Sequence, residues 1–153
     1  MLIQYLGYFP TAHFLTFPVV KTPTSERYFK LVERYAPDLM FLPMVREKDD
    51  ITEILTERNI NYVGAETLFK LDSSPVASKA YAEEMHEKGL VVFRNAIVYN
   101  ERTIISAGKT DDNAIIGLKD DNWGELVECG SDIIQTDFPT QLRQYLQSRA
   151  AHV

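Results

Sequence analysis

Apolar, β-rich runs alternate along the chain with segments whose apolar residues recur at helical spacing, which is the signature of repeated β-α units around a parallel sheet. The first run, HFLTFPVVK, leads through Thr22-Pro23-Thr24-Ser25 into a segment in which Tyr28, Leu31, Val32 and Tyr35 repeat at helical spacing, with Ser25 the expected N-cap. After Pro37, DLMFLPMV predicts a second strand, and Asp50 with Glu53 three positions on reads as the capped start of a helix buried through Ile51, Ile54 and Leu55. INYVGAETLF predicts a third strand. SPVASKAYAEEMHEKG predicts a helix, with Pro75 early in it and Gly89 as a left-handed C-terminal cap. LVVFRNAIVYN predicts a fourth strand, and the longer connection ERTIISAGKTDDNAIIGLKDD reaches a short helix around residues 123–127, ended by Gly130. The fifth strand lies in GSDIIQTDFP, where Ile133 and Ile134 are adjacent, as in a parallel strand covered on both faces. A terminal helix turns Leu142, Tyr145 and Leu146 inward and leaves Arg143, Gln147 and Arg149 to water.

Strands of this kind suit either an open doubly wound sheet or part of an eight-stranded barrel, and pattern alone leaves both standing. An open nucleotide-binding sheet offers a glycine-rich phosphate turn after a strand. This chain has seven glycines and no GxGxxG or Walker-type loop, which puts the nucleotide reading last. At 153 residues, 45% hydrophobic and 25% charged, the sequence reads as a single globular domain over residues 1–153. Its formal charge of −6, with scattered Lys and Arg, lacks the basic footprint of nucleic-acid or anionic-membrane partners. Runs such as VVF and FLPMV fall far short of the roughly 20 residues of a membrane-spanning helix. Cys129 is alone, so no disulfide framework and no cysteine metal site is expected, only a small buried residue near a helix end.

The run WGELVECGSDIIQTDFPTQLRQYL, with KGLVVFRNAIVYN and SAGKTDD before it, resembles the C-terminal part of glycerophosphodiester phosphodiesterases. In that family a strand ending in Trp-x-x-Asn precedes a GxD-(I)-I-x-TD-x-P strand and a closing helix. The parallels here are Phe93-Arg94-Asn95, then Gly130, Asp132, Ile134, Thr136, Asp137 and Pro139. DLMFLPMV and VGAETLF look like the preceding strands of one bacterial branch. The resemblance runs from about residue 14 onward and is most specific in the last third.

The resemblance implies an α/β fold, a partial TIM-type (β/α) barrel supplying roughly strands four to eight with crossover helices, and a site at the C-terminal ends of the strands. It implies metal-dependent hydrolysis of a glycerophosphodiester to glycerol 3-phosphate and an alcohol, with a divalent metal, calcium or magnesium, and two histidines. The family's His-Arg-Gly motif, Glu-x-Asp metal motif and later catalytic histidine belong to the N-terminal half of the domain. The metal ligands are therefore expected outside this chain, and the chain alone is expected to be inactive. His13, His86 and His152 read as surface histidines, and the pairs Asp111-Asp112 and Asp120-Asp121 as solvated loop acids. Many bacterial members are exported, although this chain does not open on a leader sequence. Met1-Leu2-Ile3-Gln4-Tyr5 reads as the middle of an element, which suggests a longer parent protein.

Several residues fall where such a barrel meets its ligand. Lys21 closes the first strand, as a point charge for phosphate or as a strand-end lysine extending to water. Glu66 shares a face with Gly64 and Leu68, and an acid in a covered strand needs a partner or a task. Phe93 stands where many relatives have tryptophan, a weakened aromatic wall; Arg94 points to the other face, toward a helix. Asn95 either bonds a ligand or caps its strand end. Thr136 and Asp137 form the site rim, with Asp137 alternatively capping the last helix. Lys109 replaces the histidine that relatives tend to carry in that loop. Half a barrel exposes unpaired sheet edges, so self-association or pairing with a missing N-terminal half is expected. The other reading is a non-catalytic half-barrel module that binds a phosphorylated ligand or a protein partner.

Overall fold

A computed structural model describes residues 14–15, 23–46, 55–98, 100 and 103–151, with side chains from Glu26 onward. In chain order the elements are β1 (Phe14–Leu15), α1 (Pro23–Tyr35), β2 (Met40–Phe41), β3 (Met44–Val45), β4 (Gly64–Thr67), α2 (Lys79–Glu87), β5 (Val91–Asn95), α3 (Asp111–Ile115), α4 (Glu125–Glu128), β6 (Ile133–Gln135) and α5 (Pro139–Ala150). Every pairing is parallel: β1 with β2, then β3, β4, β5 and β6 side by side.

The two sheets are joined. A parallel bridge links Phe41 to Tyr62, Phe41 N–H donates to Asn61 O at 2.9 Å and Val63 N–H donates to Phe41 O at 3.1 Å. β2 and β3 are thus one run, DLMFLPMV, interrupted at Leu42-Pro43, where proline has no N–H to give the ladder. The described strands consequently follow one another across the sheet in chain order. A doubly wound sheet would reverse its order at a switch point, and none is found among the described strands.

Register sorts the side chains onto two faces. Val45 pairs with Thr67, Ala65 with Val92 and Arg94 with Ile134. Val45, Ala65, Val92 and Ile134 join one apolar core with Phe29 of α1, Tyr81, Ala82 and Met85 of α2, Leu126 of α4, and Leu142 and Tyr145 of α5. The opposite face carries Met44, Glu66, Phe93 and Ile133 in one row, and Asn95 beside Gln135. Leu42, Phe93 and Ile133 form its own small apolar cluster with Val63 and Val91. Ile133 and Ile134 are thus buried on opposite faces, as their adjacency predicts.

Several local expectations change. α1 begins at Pro23, whose fixed φ suits a first helical position, so Ser25 lies inside the helix rather than at its N-cap. Its buried stripe is Phe29 and Val32, while Tyr28, Leu31 and Tyr35 are exposed. The helix containing Pro75 divides: residues Pro75–Ala77 make a separate 3-10 turn, and Ser78 caps α2 by accepting from Tyr81 N–H at 3.1 Å. Gly89 has φ +73°, as expected of a left-handed cap. In α5, Leu142 and Tyr145 are buried as expected, but Arg149 is not left to water: it donates to Glu128 Oε1 at 2.7 Å and Tyr145 Oη at 2.9 Å. Leu55 is buried, while Asp50, Ile51, Glu53 and Ile54 lie outside the described residues.

Gly64 sets how closely β4 approaches β5. A Cβ there would lie 2.1 Å from Val91 O and 2.6 Å from Val91 Cγ2, and a strand carbonyl cannot step aside without breaking its ladder. Gly64→Ala is expected to lower stability by about 2–3 kcal/mol, the upper part of the range for overpacking. Urea unfolding beside the wild-type chain measures it, and an unchanged midpoint would mean that the strands can separate freely.

Candidate functional site

The C-terminal ends of β3, β4 and β5 lie together, because parallel strands all point the same way. Here Glu66 is only 7% exposed and Asn95 1% exposed. Glu66 pairs in register with Phe93, and Asn95 is two residues further along the same face, within diagonal reach. Asn95 Nδ2 donates to Glu66 Oε1 at 2.9 Å. One N–H of the Asn95 amide thus serves the carboxylate, and its Oδ1 is buried without a protein hydrogen-bond partner.

Glu66 also lines a cleft of about 940 Å³. Its walls combine Met44 and Arg46 at the end of β3, Leu68 to Leu71 after β4, Ser73, Ser74 and Pro75, and Thr103, Ile104 and Ile105 from the loop after β5. Arg46 and Lys70 are exposed cations at this cleft. Ser106, next to Ile105, is 0% exposed and its Oγ has no protein partner. Ser106 and Ala107 take φ of 51° and 54°, a left-handed conformation that costs a non-glycine residue free energy and calls for an explanation at a site. Ala107 N–H donates to Phe69 O at 2.9 Å, which ties this turn to the cleft wall.

A second cluster holds the loops that follow β5 and β6. Asp111, 1% exposed, accepts from Trp123 Nε1 at 2.8 Å and Thr136 Oγ1 at 2.8 Å on one oxygen, and from Asp137 N–H at 2.7 Å on the other. Its own N–H donates to Ala96 O at 2.7 Å, next to Asn95. Asp111 is therefore not a solvated loop acid: its carboxylate replaces water with three protein donors, while Asp112 beside it is exposed. Thr136 and Asp137 serve this clamp, Thr136 Oγ1 also accepting from Phe138 N–H at 3.0 Å. No side-chain cap closes the start of α5, whose N-cap is Phe138, so Asp137 does not fill that role. Asp120 is exposed yet accepts from Tyr145 Oη at 2.5 Å.

The other named residues separate by position. Phe93 is buried among Leu42 and Ile133, on the same face as Glu66, with which it pairs in register. Arg94 faces the helices, as alternation predicts. Lys109 is buried and pairs with Asp72, and with Glu125 Oε2 at 3.1 Å. Burial alone would pull its ammonium down, but the hydrogen bonds and charges of Asp72 and Glu125 outweigh this and hold it above the ordinary lysine value. His86 is exposed, with Nε2 2.7 Å from Asp132 Oδ2. Cys129 is half-buried at the end of α4. Lys21, His13 and His152 lie outside the described residues.

The sequence reading did not single out Arg46, Lys70, Ser106 or the burial of Asp111. Arg46 and Lys70 each follow closely on a strand end, a positional signal that was available. Ser106 gave none, since nothing in SAGKTDD demands a left-handed serine. Glu47-Lys48-Asp49 has the spacing of a Glu-x-Asp motif and lies outside the described residues. Among the described residues, no group of His, Cys, Asp and Glu gathers into a potential metal cage, and no helix is long and apolar enough to cross a membrane. The described side chains by themselves thus do not fit the divalent metal that the resemblance implies.

No curated protein matches the chain. A family model covers residues 41–146, from β2 through most of α5, and takes in the cleft, the Glu66–Asn95 pair and the Asp111 clamp. The chain belongs to that family, DUF4996, a domain of unknown function.

Proposed function

We propose that the chain is the C-terminal part of a glycerophosphodiester phosphodiesterase-like (β/α)8 barrel, supplying roughly strands four to eight and the substrate contacts of a metal-dependent phosphodiester hydrolysis. The observation that carries this reading is the parallel sheet in chain order, with helices packed on one face and Glu66 and Asn95 buried at the strand ends on the other. Barrel enzymes place their ligands at that end. Glu66 and Asn95 orient the substrate here, and the acid, base and metal ligands are supplied from outside the described residues.

The test is calorimetric titration of the 153-residue chain with glycerophosphocholine, beside a hydrolysis assay with calcium, magnesium or EDTA. Binding is expected, about tenfold weaker in Glu66→Ala, the size of one charge-assisted hydrogen bond. No turnover is expected from the chain alone. Failure to bind any glycerophosphodiester overturns the reading, while metal-dependent turnover lost in Glu66→Ala overturns the division of the site.

A non-catalytic half-barrel module is favoured by one observation: the described cleft holds a carboxylate but no histidine. It predicts the same binding, with no turnover even when the chain is joined to an N-terminal half carrying the family's histidines.

A further inference from the structure

We propose that Lys109 is a latch on the cleft: its ammonium holds Asp72, and with it the strap of residues 70–74, away from the opening. When that ion pair breaks, the strap folds inward and Leu71 meets Ile104. The latch stands whatever the cleft binds. The strap has fixed ends. Before it, Phe69 is buried and its carbonyl accepts from Ala107 N–H at 2.9 Å. After it, Val76 and Ala77 are buried and their carbonyls accept from Arg94 Nη2. Between these anchors residues 70–73 are exposed, and the backbone bond from Ser74 N–H to Leu71 O is local to the strap. Among the described residues, the hydrogen bond that ties this stretch to another part of the fold runs from Lys109 Nζ to Asp72 Oδ1. An exposed segment with rigid ends and a single side-chain tie belongs to the least stable part of a fold, from which moving elements are drawn.

Lys109 can release Asp72 because it has two acids. A buried ammonium stripped of every partner bears a large desolvation penalty. Glu125, on α4, lies 3.1 Å from Nζ and stays with it when Asp72 leaves. The Asp72 side chain is already 72% exposed and returns to water. An ion pair with so exposed a partner is weak and screened by salt. The packing also gives the direction of the movement. α4 joins the core on the helix side of the sheet through Leu126, so Lys109, between Glu125 and Asp72, draws Asp72 toward that side. Leu71, next to Asp72, lines the cleft on the other side, together with Met44 and Glu66. Leu71 is 67% exposed and Ile104, on the same cleft, 54%. Two large apolar side chains are thus held in water at one opening, and contact between them is favourable once the strap is free.

The experiment records methyl–methyl nuclear Overhauser effects and amide exchange in the full chain, with labelled leucine and isoleucine methyls. The wild-type chain in low salt is expected to show no Leu71–Ile104 contact. In Asp72→Ala, at an exposed position that leaves the core untouched, the contact appears and the amides of residues 71–73 exchange more slowly. The wild-type chain gains the same contact at about 1 M NaCl, where the screening length falls to about 3 Å. Glu125→Gln removes the other acid and keeps the latch, so the contact stays absent in low salt. Leu71→Ser combined with Asp72→Ala frees the strap without a reason to close, and its amides exchange faster than in the wild-type chain. A contact already present in the wild-type chain in low salt overturns the proposal, as does an Asp72→Ala spectrum unchanged around Leu71 and Ile104. Faster exchange in Asp72→Ala with no Leu71–Ile104 contact also overturns it, because the ion pair then only stiffens the loop. A contact that appears in Glu125→Gln as readily as in Asp72→Ala removes the latch from Asp72 and ends the proposal in this form.

Discussion

Asp111→Ala is expected to lower the stability of the chain by about 3–5 kcal/mol, near the top of the range for one substitution. The substitution removes the acceptor of three donors at once: the indole of Trp123, the hydroxyl of Thr136 and the backbone N–H of Asp137. Trp123 is fully buried, so its N–H has no water to turn to and bears an unmet-donor penalty of about 1–3 kcal/mol. Thr136 and Asp137 lie nearer solvent and recover part of their loss, which keeps the total below three full penalties. Asp111→Asn separates charge from shape. It keeps one oxygen for the Trp123 and Thr136 donors but sets an NH2 against the N–H of Asp137, and is expected to lose about half as much. Asp112→Ala, at the exposed neighbour, should leave stability unchanged. Trp123 is the chain's single tryptophan and sits on the clamp, so its fluorescence during urea unfolding reports the event directly. A wild-type midpoint in both Asp111 variants would mean that the donors find other acceptors and that Asp111 is no hub.

The clamp also reaches the cleft. Asp111 N–H holds Ala96 O, and Ala96 N–H donates to Gln135 O at 2.8 Å, so the ends of β5 and β6 and the loops after them are fixed relative to one another. Asn95 is the residue before Ala96. Loosening Asp111 is therefore expected to weaken ligand binding in the cleft as well as stability, whereas Gly64→Ala acts first on the strand pairing.

What the sequence disclosed follows the range of the interactions involved. The adjacent Ile133 and Ile134 announced a strand covered on both faces, and alternation alone sent Arg94 to the helix face and Glu66 to the other, because period and burial are local properties of a strand. The order of strands was not legible: it depends on which edges meet, and the Phe41–Tyr62 bridge that joins the two sheets leaves no local mark. The Glu66–Asn95 bond was half legible. Both residues were picked out separately, but their separation of 29 positions conceals that they are neighbours across β4 and β5. Asp111 was misread for the same reason, since two adjacent acids at the start of a short helix look solvated until Trp123 and the residues after β6 fold onto one of them. Ser25 and Pro75 show the limit at helix ends: proline started a helical turn in each case, which put the expected cap Ser25 inside α1 and set a separate turn before α2, whose cap is Ser78.

Arg94→Met is expected to destabilise the chain by about 3–5 kcal/mol, even though it replaces a buried charge with an apolar side chain of similar length. Two effects oppose each other. Arg94 is 0% exposed and no carboxylate is hydrogen-bonded to its guanidinium, so burial pulls its pKa down from the ordinary arginine value and the native state bears a desolvation penalty. Methionine removes that penalty. Against it stand the acceptors that Arg94 serves. Nη1 donates to Cys129 O at 2.8 Å, Leu126 O at 3.5 Å and Ser131 Oγ at 3.1 Å, and Nη2 to Val76 O and Ala77 O, each at 3.3 Å. These carbonyls belong to the end of α4 and to the 3-10 turn before α2, where the backbone has run out of its own donors. One planar group thus closes two helical ends, and a cation also suits the negative end of each. At about 1–3 kcal/mol for each strongly bonded carbonyl left dry, the lost bonds outweigh the recovered desolvation. Arg94→Lys is expected to recover less than half, because a single nitrogen cannot reach toward both ends. Urea unfolding of the three chains decides the matter. A methionine variant as stable as wild type would show that desolvation cancels the bonds, and that Arg94 specifies where α2 and α4 sit without stabilising them.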